Sequence, residues 1–329
     1  MQLTEATQIG KREDLADLIS FADVRQTPFT SRIKKVGKAT NVLFEWLADN
    51  FADVKVTGSV DGKDISEFEN AVANRARLKN RLQIFDRTAK VSTLAQDVSD
   101  VAGLGSGGEI VEATRKSIVE LKRDIEATLL GGADAQEDDG SKANLTCAMD
   151  TWISTAGPTL YSVNSNFRTP STQVNTTATA SLTEDTDIQG MLTAIFDSNG
   201  FNGDHVLVCG SVLRRRFTDM ARTVANTTST NTKVRSFNYD GASETVTNTC
   251  TIYNGDYGSM EVVSSNFIGG ATTDTDRGYV CDFDKLALHF QRMPTMERLP
   301  DLGGGPRILC RAIAGLRVDN PRAFGKFKP

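Results

Sequence analysis

The chain has 329 residues, enough for two domains and a sizeable core, with 39% hydrophobic and 7% aromatic residues. Net charge is −5, unevenly spread. Arg307 to Pro329 carry four Arg and two Lys against Asp319, or +5, which leaves −10 on the remainder. An acidic body argues against a dedicated nucleic-acid binder, whose affinity rests on neutralising phosphates. The basic tail is read instead as pairing with acidic surface on this chain or on a copy of it.

Five Cys (147, 209, 250, 281, 310) are odd in number and form no CxxC, which suits free, mostly buried thiols in a reducing compartment. The first 30 residues are polar and charged, so no signal peptide is expected. No apolar run approaches ~18 residues, so no membrane span is expected either.

Taken in order, residues 1–40 mix charges with short apolar patches and read as an arm. It has one short helix near Glu13–Phe21 and then Thr27-Pro28-Phe29. Residues 41–92 alternate. Val42, Phe44 and Trp46 share one face, and Ala76, Leu78, Asn80, Leu82 and Ile84 alternate with Arg75, Arg77, Lys79 and Arg81. The spacing predicts a long two-stranded excursion. Its basic ladder reads as a solvated or salt-bridged face, because Asp49, Asp53, Glu67 and Glu69 lie nearby.

Residues 107–131 are read as one long helix. Ile110, Ile118, Leu121, Ile125 and Leu129 form a narrow apolar stripe, bounded by Gly107-Gly108 and Gly131-Gly132. Glu112–Lys116 and Glu120–Arg123 are spaced for local ion pairs. The preceding GLGSGG (103–108) matches G-x-G-x-x-G but lacks the strand and βαβ unit that a dinucleotide site needs. ADAQEDDG (133–140) has the wrong residues at the ligand positions of a calcium loop and reads as an acidic turn.

A Thr/Ser/Asn-rich connection follows at 159–187. A helix then runs from an N-cap at Thr186, with Gln189 completing a capping box, to Gly200. HVLVC (205–209) is a buried strand, and SVLRRRFTDMAR starts a second helix at Ser211. Residues 225–232 read as a loop, 250–265 as a hairpin, and 278–283, 286–291 and 307–317 as strands. His205 and His289 are the two candidate neutral-pH bases, and each sits in an apolar strand pattern that suits a core or interface His. No G-x-S-x-G, H-E-x-x-H or Walker motif occurs, and Asp301 to Pro306 reads as a turn. Nothing here calls for a cofactor, a metal or catalysis.

The ordered set of short motifs resembles the major capsid proteins of tailed bacteriophages. It comprises T-P-F (Thr27 to Phe29), E-W (Glu45-Trp46), N-x-x-Q-I-F (Asn80 to Phe85) with V-S (Val91-Ser92), and L-K-R-D-I-E (Leu121 to Glu126). D-Y-G-x-x-x-V-V (Asp256 to Val263) and G-L-x-V-x-N-x-x-A-x-G (Gly315 to Gly325) complete it. The chain departs from the pattern in the excursion tip, in residues 133–187 and at Arg311-Ala312.

The resemblance implies an α+β capsid fold shared with encapsulins. Residues 1–40 would be the N-terminal arm and 41–92 an extended β loop. Residues 93–185 and 291–329 would form a peripheral domain around a spine helix at 107–131, and 186–290 an axial domain. It implies hexamers and pentamers closing into an icosahedral phage head around double-stranded DNA that is enclosed without specific binding. Assembly would take place in the host cytoplasm, with scaffold and portal proteins as partners and a decoration protein as a further one. Phe44, Trp46 and Phe85 are expected to make apolar inter-subunit contacts, and Arg75, Arg77, Lys79 and Arg81 to face acids of the adjacent subunit. Two alternatives stand beside this reading: an encapsulin-like nanocompartment shell and an enzyme of unrecognised type.

Overall fold

The computed structural model describes residues 26–328 apart from 38, 53, 65–67, 69, 71–73, 98–107, 200–202, 222, 225–231, 234–235, 240–243, 248–249 and 271–273. From 221 to 249 the description is of the backbone. The helix expected at 13–21, most of the glycine motif before Gly108 and nearly all of the 225–232 loop lie outside it.

The arm supplies α1 (Pro28–Arg32) and β1 (Lys34–Val36); the excursion supplies β2 (Leu43–Ala48), β3 (Ala76–Arg81) and β4 (Gln83–Lys90). Then come α2 (Thr93–Asp97), α3 (Gly108–Leu129), α4 (Met149–Trp152), β5 (Val174–Asn175), α5 (Gly190–Asn199), β6 (His205–Cys209) and α6 (Ser211–Ala221). Four short strands make two small antiparallel pairs: β7 (Thr223–Val224) with β8 (Thr232–Lys233), and β9 (Ser236–Tyr239) with β10 (Glu244–Thr247). The chain ends with β11 (Ile252–Gly255), β12 (Gly258–Ser264), β13 (Gly278–Cys281), β14 (Leu286–Leu299), β15 (Arg307–Val318) and β16 (Gly325–Phe327).

The largest sheet has the order β11-β12-β6-β13-β16-β5. β6 runs parallel to β12 and antiparallel to β13. Its central strands bury side chains on both faces, which is why HVLVC reads as a continuous apolar run. Leu207, Cys209, Met260, Val262 and Val280 pack with Ile188, Met191 and Ile195 around α5 and with Leu213 and Phe217 of α6. On β13, Tyr279 is buried and donates its hydroxyl to the Leu130 carbonyl just past α3. The hairpin expected at 250–265 is β11–β12, closed at Gly255↔Gly258.

A second sheet has the order β1-β14-β15-β4. The excursion therefore departs from its expected form. β2 and β3 pair over six positions, from Leu43↔Arg81 to Ala48↔Ala76, but the run does not continue as one strand to Lys90. It breaks at Leu82, where the alternation slips phase: Leu78, Asn80 and Leu82 are buried, then Ile84 is exposed and Phe85 buried. β4 after the break belongs to the second sheet.

The chain divides into two compact units, one holding Asp86–Leu121 and Pro294–Arg311, the other Gln26–Phe85, Lys122–Met293 and Ala312–Pro329. Within the first, Asp301 Oδ1 accepts the N–H groups of Gly303, Gly304 and Gly305 at 2.9–3.1 Å, so the expected turn is locked by one carboxylate. Gly305 has φ +101°, and a Cβ there would strike the Val91 carbonyl. On this part of α3, Glu112 pairs with Arg115 at i,i+3 and Lys116 with Glu120 at i,i+4.

The α5 start differs too. A π-helical turn at Glu184–Gln189 precedes it, and the capping acceptor is Asp187, which takes the Thr183 N–H at 2.7 Å. Thr186 bonds the Thr183 hydroxyl instead.

Candidate assembly elements: the ribbon base and the arm

Two polar side chains of the β2–β3 ribbon, Trp46 and Asn80, tie it to its own body, and Gln83 at the start of β4 adds a third tie beside them. Trp46 Nε1 donates to the Val318 carbonyl at 3.1 Å, and Asn80 Nδ2 to the Leu316 carbonyl at 2.5 Å. Asn80 Oδ1 accepts the Cys147 N–H at 3.0 Å, and Gln83 Oε1 the Thr146 N–H at 3.2 Å. Thr146 Oγ1 in turn accepts the Leu316 N–H at 3.1 Å. Here side chains take up the backbone groups of β15, as a neighbouring strand would. Asn80 has no accessible surface, and its placement obeys the rule that buried polar groups carry partners.

Around this knot, Trp46 lies against Trp152 and Phe44 at 5.7 and 5.8 Å between centroids, and Phe44 stacks on His289 at 4.9 Å. Burial lowers the His289 pKa, and the Arg317 guanidinium lowers it further. A Cβ on Gly315 would stand 2.6 Å from Phe44 Cε1 and 2.7 Å from the Arg81 carbonyl, so glycine is needed where the ribbon crosses β15.

The expected inter-subunit residues therefore divide. Trp46 and Phe85 are buried in their own chain, and Phe44 is half-buried there. Arg81 is spoken for by Glu137 at 2.5 Å and Asn144 at 3.2 Å. Arg75 pairs with Asp49 at 2.9 Å, while Arg77 and Lys79 share Glu45 at 3.1 and 3.3 Å. These last three remain partly solvent-facing, so only they keep a charged surface for a neighbour. Beyond the base, Phe51, Val54, Val56, Val60 and Phe68 are almost wholly exposed. The sequence reading passed over this row because it fixed on the alternating strands.

The arm is held by a residue that sequence reasoning also missed. Glu126, in the C-terminal half of α3, has no accessible surface. It accepts Phe29 N at 2.9 Å, Thr30 N at 2.7 Å and Thr30 Oγ1 at 2.8 Å, with Ser265 Oγ at 3.4 Å. Burial raises its pKa and these hydrogen bonds oppose the rise. Phe29 is fully buried, 5.7 Å from Phe283, and Arg32 forms a two-pronged pair with Glu261, both contacts at 2.6 Å.

The basic tail pairs within the chain, as read from the sequence: Arg311 with Asp86, Arg317 with Asp319, and Lys326 and Lys328 with Asp150. His205 is buried in β6, with its pKa lowered by burial. In the acidic turn, Asp138 and Asp139 accept the N–H groups of Gly140, Ser141 and Lys142. The five cysteines are free and four are buried. No helix among the described residues is long and apolar enough to cross a membrane.

A long helix, an arm, a projecting ribbon and a mixed sheet with covering helices define the class of shell-building capsid folds. Over 97–100% of the chain the fold matches solved shells at low identity. These include the capsid of cyanophage A-1(L) (13% identity, TM-score 0.63, 99% of each chain) and of cyanophage P-SCSP1u (12%, 0.59, 99% and 96%). The SrpI encapsulin of Synechococcus elongatus shares it as well (11%, 0.54, 100% and 96%). The family model for the SU10 major capsid protein matches residues 2–329, and the chain belongs to that family. It is also 31% identical over 131 residues to the major capsid protein of Escherichia phage Phieco32. That match covers 38% of this chain and about a third (34%) of the relative's length. Membership of a major capsid protein family gives the chain a structural role.

Proposed function

We propose that copies of this chain form hexamers and pentamers that close into an icosahedral phage head around double-stranded DNA. The observation that carries this reading, beside the family, is the exposed apolar row from Phe51 to Phe68 on a loop whose base is anchored in its own body. Exposed apolar surface of this kind marks a site for another surface to cover. In this reading 1–40 is the arm, 41–92 the extended loop, 93–185 and 291–329 the peripheral domain with its spine helix, and 186–290 the axial domain. The loop lies on the adjacent subunit, where Arg75, Arg77 and Lys79 meet its acids. Trp46, Phe44, Phe85 and Arg81 set the angle at which the loop leaves. DNA is confined by an acidic wall and not bound by sequence. Scaffold and portal proteins direct closure in the host cytoplasm, and a decoration protein adds to the outside.

Negative-stain imaging and sedimentation of the expressed full-length protein test the reading. Closed shells, or capsomers that close on adding scaffold, support it. Nuclease-protected DNA in particles from infected cells separates a phage head from a nanocompartment, whose contents would be protein. A monodisperse monomer under every condition would overturn it.

A further inference from the structure

The arm is seated by a capping interaction supplied from another part of the chain. α1 has only five residues, far too few to be helical alone in water. The first N–H groups of any helix lack intrahelical partners, and a side chain at the N-cap normally takes them. Thr27 stands at that position and makes no such bond. Glu126 does it instead, from 96 and 97 residues away in sequence. All three of its short hydrogen bonds come from the arm, and all from neutral groups. Its chain neighbours Ile125, Leu129 and Leu130 are buried as well, and so is Phe29.

The dependence runs both ways. Without the carboxylate, α1 has unsatisfied donors at its start. Without the arm, the carboxylate keeps only the long hydrogen bond from Ser265 Oγ at 3.4 Å, which leaves a poorly satisfied charge and is unfavourable. Arg32 and Glu261 close the far end of the same segment, with side chains still 37% and 45% exposed, so that end is the weaker attachment.

We propose that Glu126 is the socket of a two-state strap: it captures residues 28–33 on the subunit's own spine helix, and its hydrogen bonds decide whether the arm is docked or free. The strap would let the subunit keep its sheets folded while the arm is released. Its use during shell building rests on the capsid reading above; the docking itself does not.

Hydrogen exchange on full-length, unassembled protein tests it, comparing wild type with Glu126→Gln. The amide keeps one acceptor oxygen but turns the other into an NH2 group that faces the arm's donors, so docking is weakened while shape is kept. Exchange in peptides covering 26–33 should quicken by about tenfold or more, the scale of one hydrogen bond to a charged group. Peptides covering 205–209 and 278–281 should keep wild-type protection. Unchanged protection at 26–33 would overturn the proposal, and so would loss of protection everywhere, because the arm would then be no separate unit. Should Glu126→Gln not fold, Thr30→Val removes one donor at the same shape. It should quicken exchange at 26–33 alone, and no change there would equally overturn the strap. The exchange is read on unassembled protein, so failure to form shells does not affect it.

Discussion

Asn80 shows how much one amide can hold. It joins the ribbon to the 146–147 segment and to β15, and it does so with no access to water. Asn80→Ala would leave the Leu316 carbonyl and the Cys147 N–H buried without these partners. Each such group costs about 1–3 kcal/mol. The urea midpoint of unassembled protein should fall by the equivalent of about 2–4 kcal/mol with an unchanged slope; a shift near zero would mean that water replaces the amide at no cost.

Asp150 is the second residue of this kind. Lys326 Nζ lies 3.1 Å from its Oδ1 and 2.8 Å from its carbonyl, and Lys328 Nζ lies 3.0 Å from Oδ2. Burial pushes the carboxyl up, but the two ammonium groups outweigh it and hold the pKa below the ordinary range. Burial also lowers the pKa of Lys326, so part of the pair's desolvation cost falls on the lysine. A depressed carboxyl binds its proton less readily folded than unfolded. Its stabilisation is therefore complete above the unfolded pKa of about 4 and fades as pH falls through the folded value. Asp150→Asn should cost about 3 kcal/mol at pH 7, and its deficit against wild type should shrink below about pH 4. A deficit constant from pH 7 to 3 would show that the loss is one of packing.

Among the elements, α3 was the most legible. Its limits fall within a few residues of the expected ones because glycines bracket it and the stripe has helical spacing. Burial along the stripe is graded, which spacing alone does not reveal: Leu121, Ile125 and Leu129 are buried, while Ile110 and Ile118 are half-buried. Ile125→Asp would place an unpaired charge in the core and should give insoluble chain. Ile118→Asp should be milder, with soluble protein and a lowered melting temperature. Equal solubility of the two variants would mean that the grading has no energetic weight.

The motifs that carried the family resemblance have physical reasons here. Asn80 and Gln83 bond the 146–147 segment, Phe29 fills the arm's pocket, Glu126 caps α1, and Gly258 adopts φ +122° beside the Gly203 carbonyl. Asn80 was visible in the sequence as a polar residue on an apolar face, the mark of a buried group with partners. Glu126 was not, since nothing in a helix with many acids tells which one is covered. The break at Leu82 was equally hidden. Period two reports that a segment is extended, and does not report which sheet it joins.

At the scale of the whole molecule, the question is what the ribbon contributes once its base is accounted for. Six paired positions join β2 to β3, and Trp46 and Asn80 fix the pair on its own body, so the base needs no neighbour. Residues 49–75 are a different case: no strand is formed among their described residues, and a turn closed from Lys63 N to the Val60 carbonyl reverses the chain at Gly62, φ +77°. Fully covering an apolar side chain such as Val or Phe is worth about 1.5–3 kcal/mol. The five exposed side chains together would bring several kcal/mol to a contact with a second subunit, even after the cost of ordering the loop. None of that gain is available to the isolated chain. Replacing Val54–Asn74 with a short Gly-Ser turn keeps Asp49 and Arg75, and it spares every bond at the base. The shortened protein should melt cooperatively, with near-native circular dichroism, and sediment as monomers or small capsomers under conditions where the full chain closes. Shells of normal size from the shortened chain would show that the loop is not a clasp, and failure to fold would place it in the core.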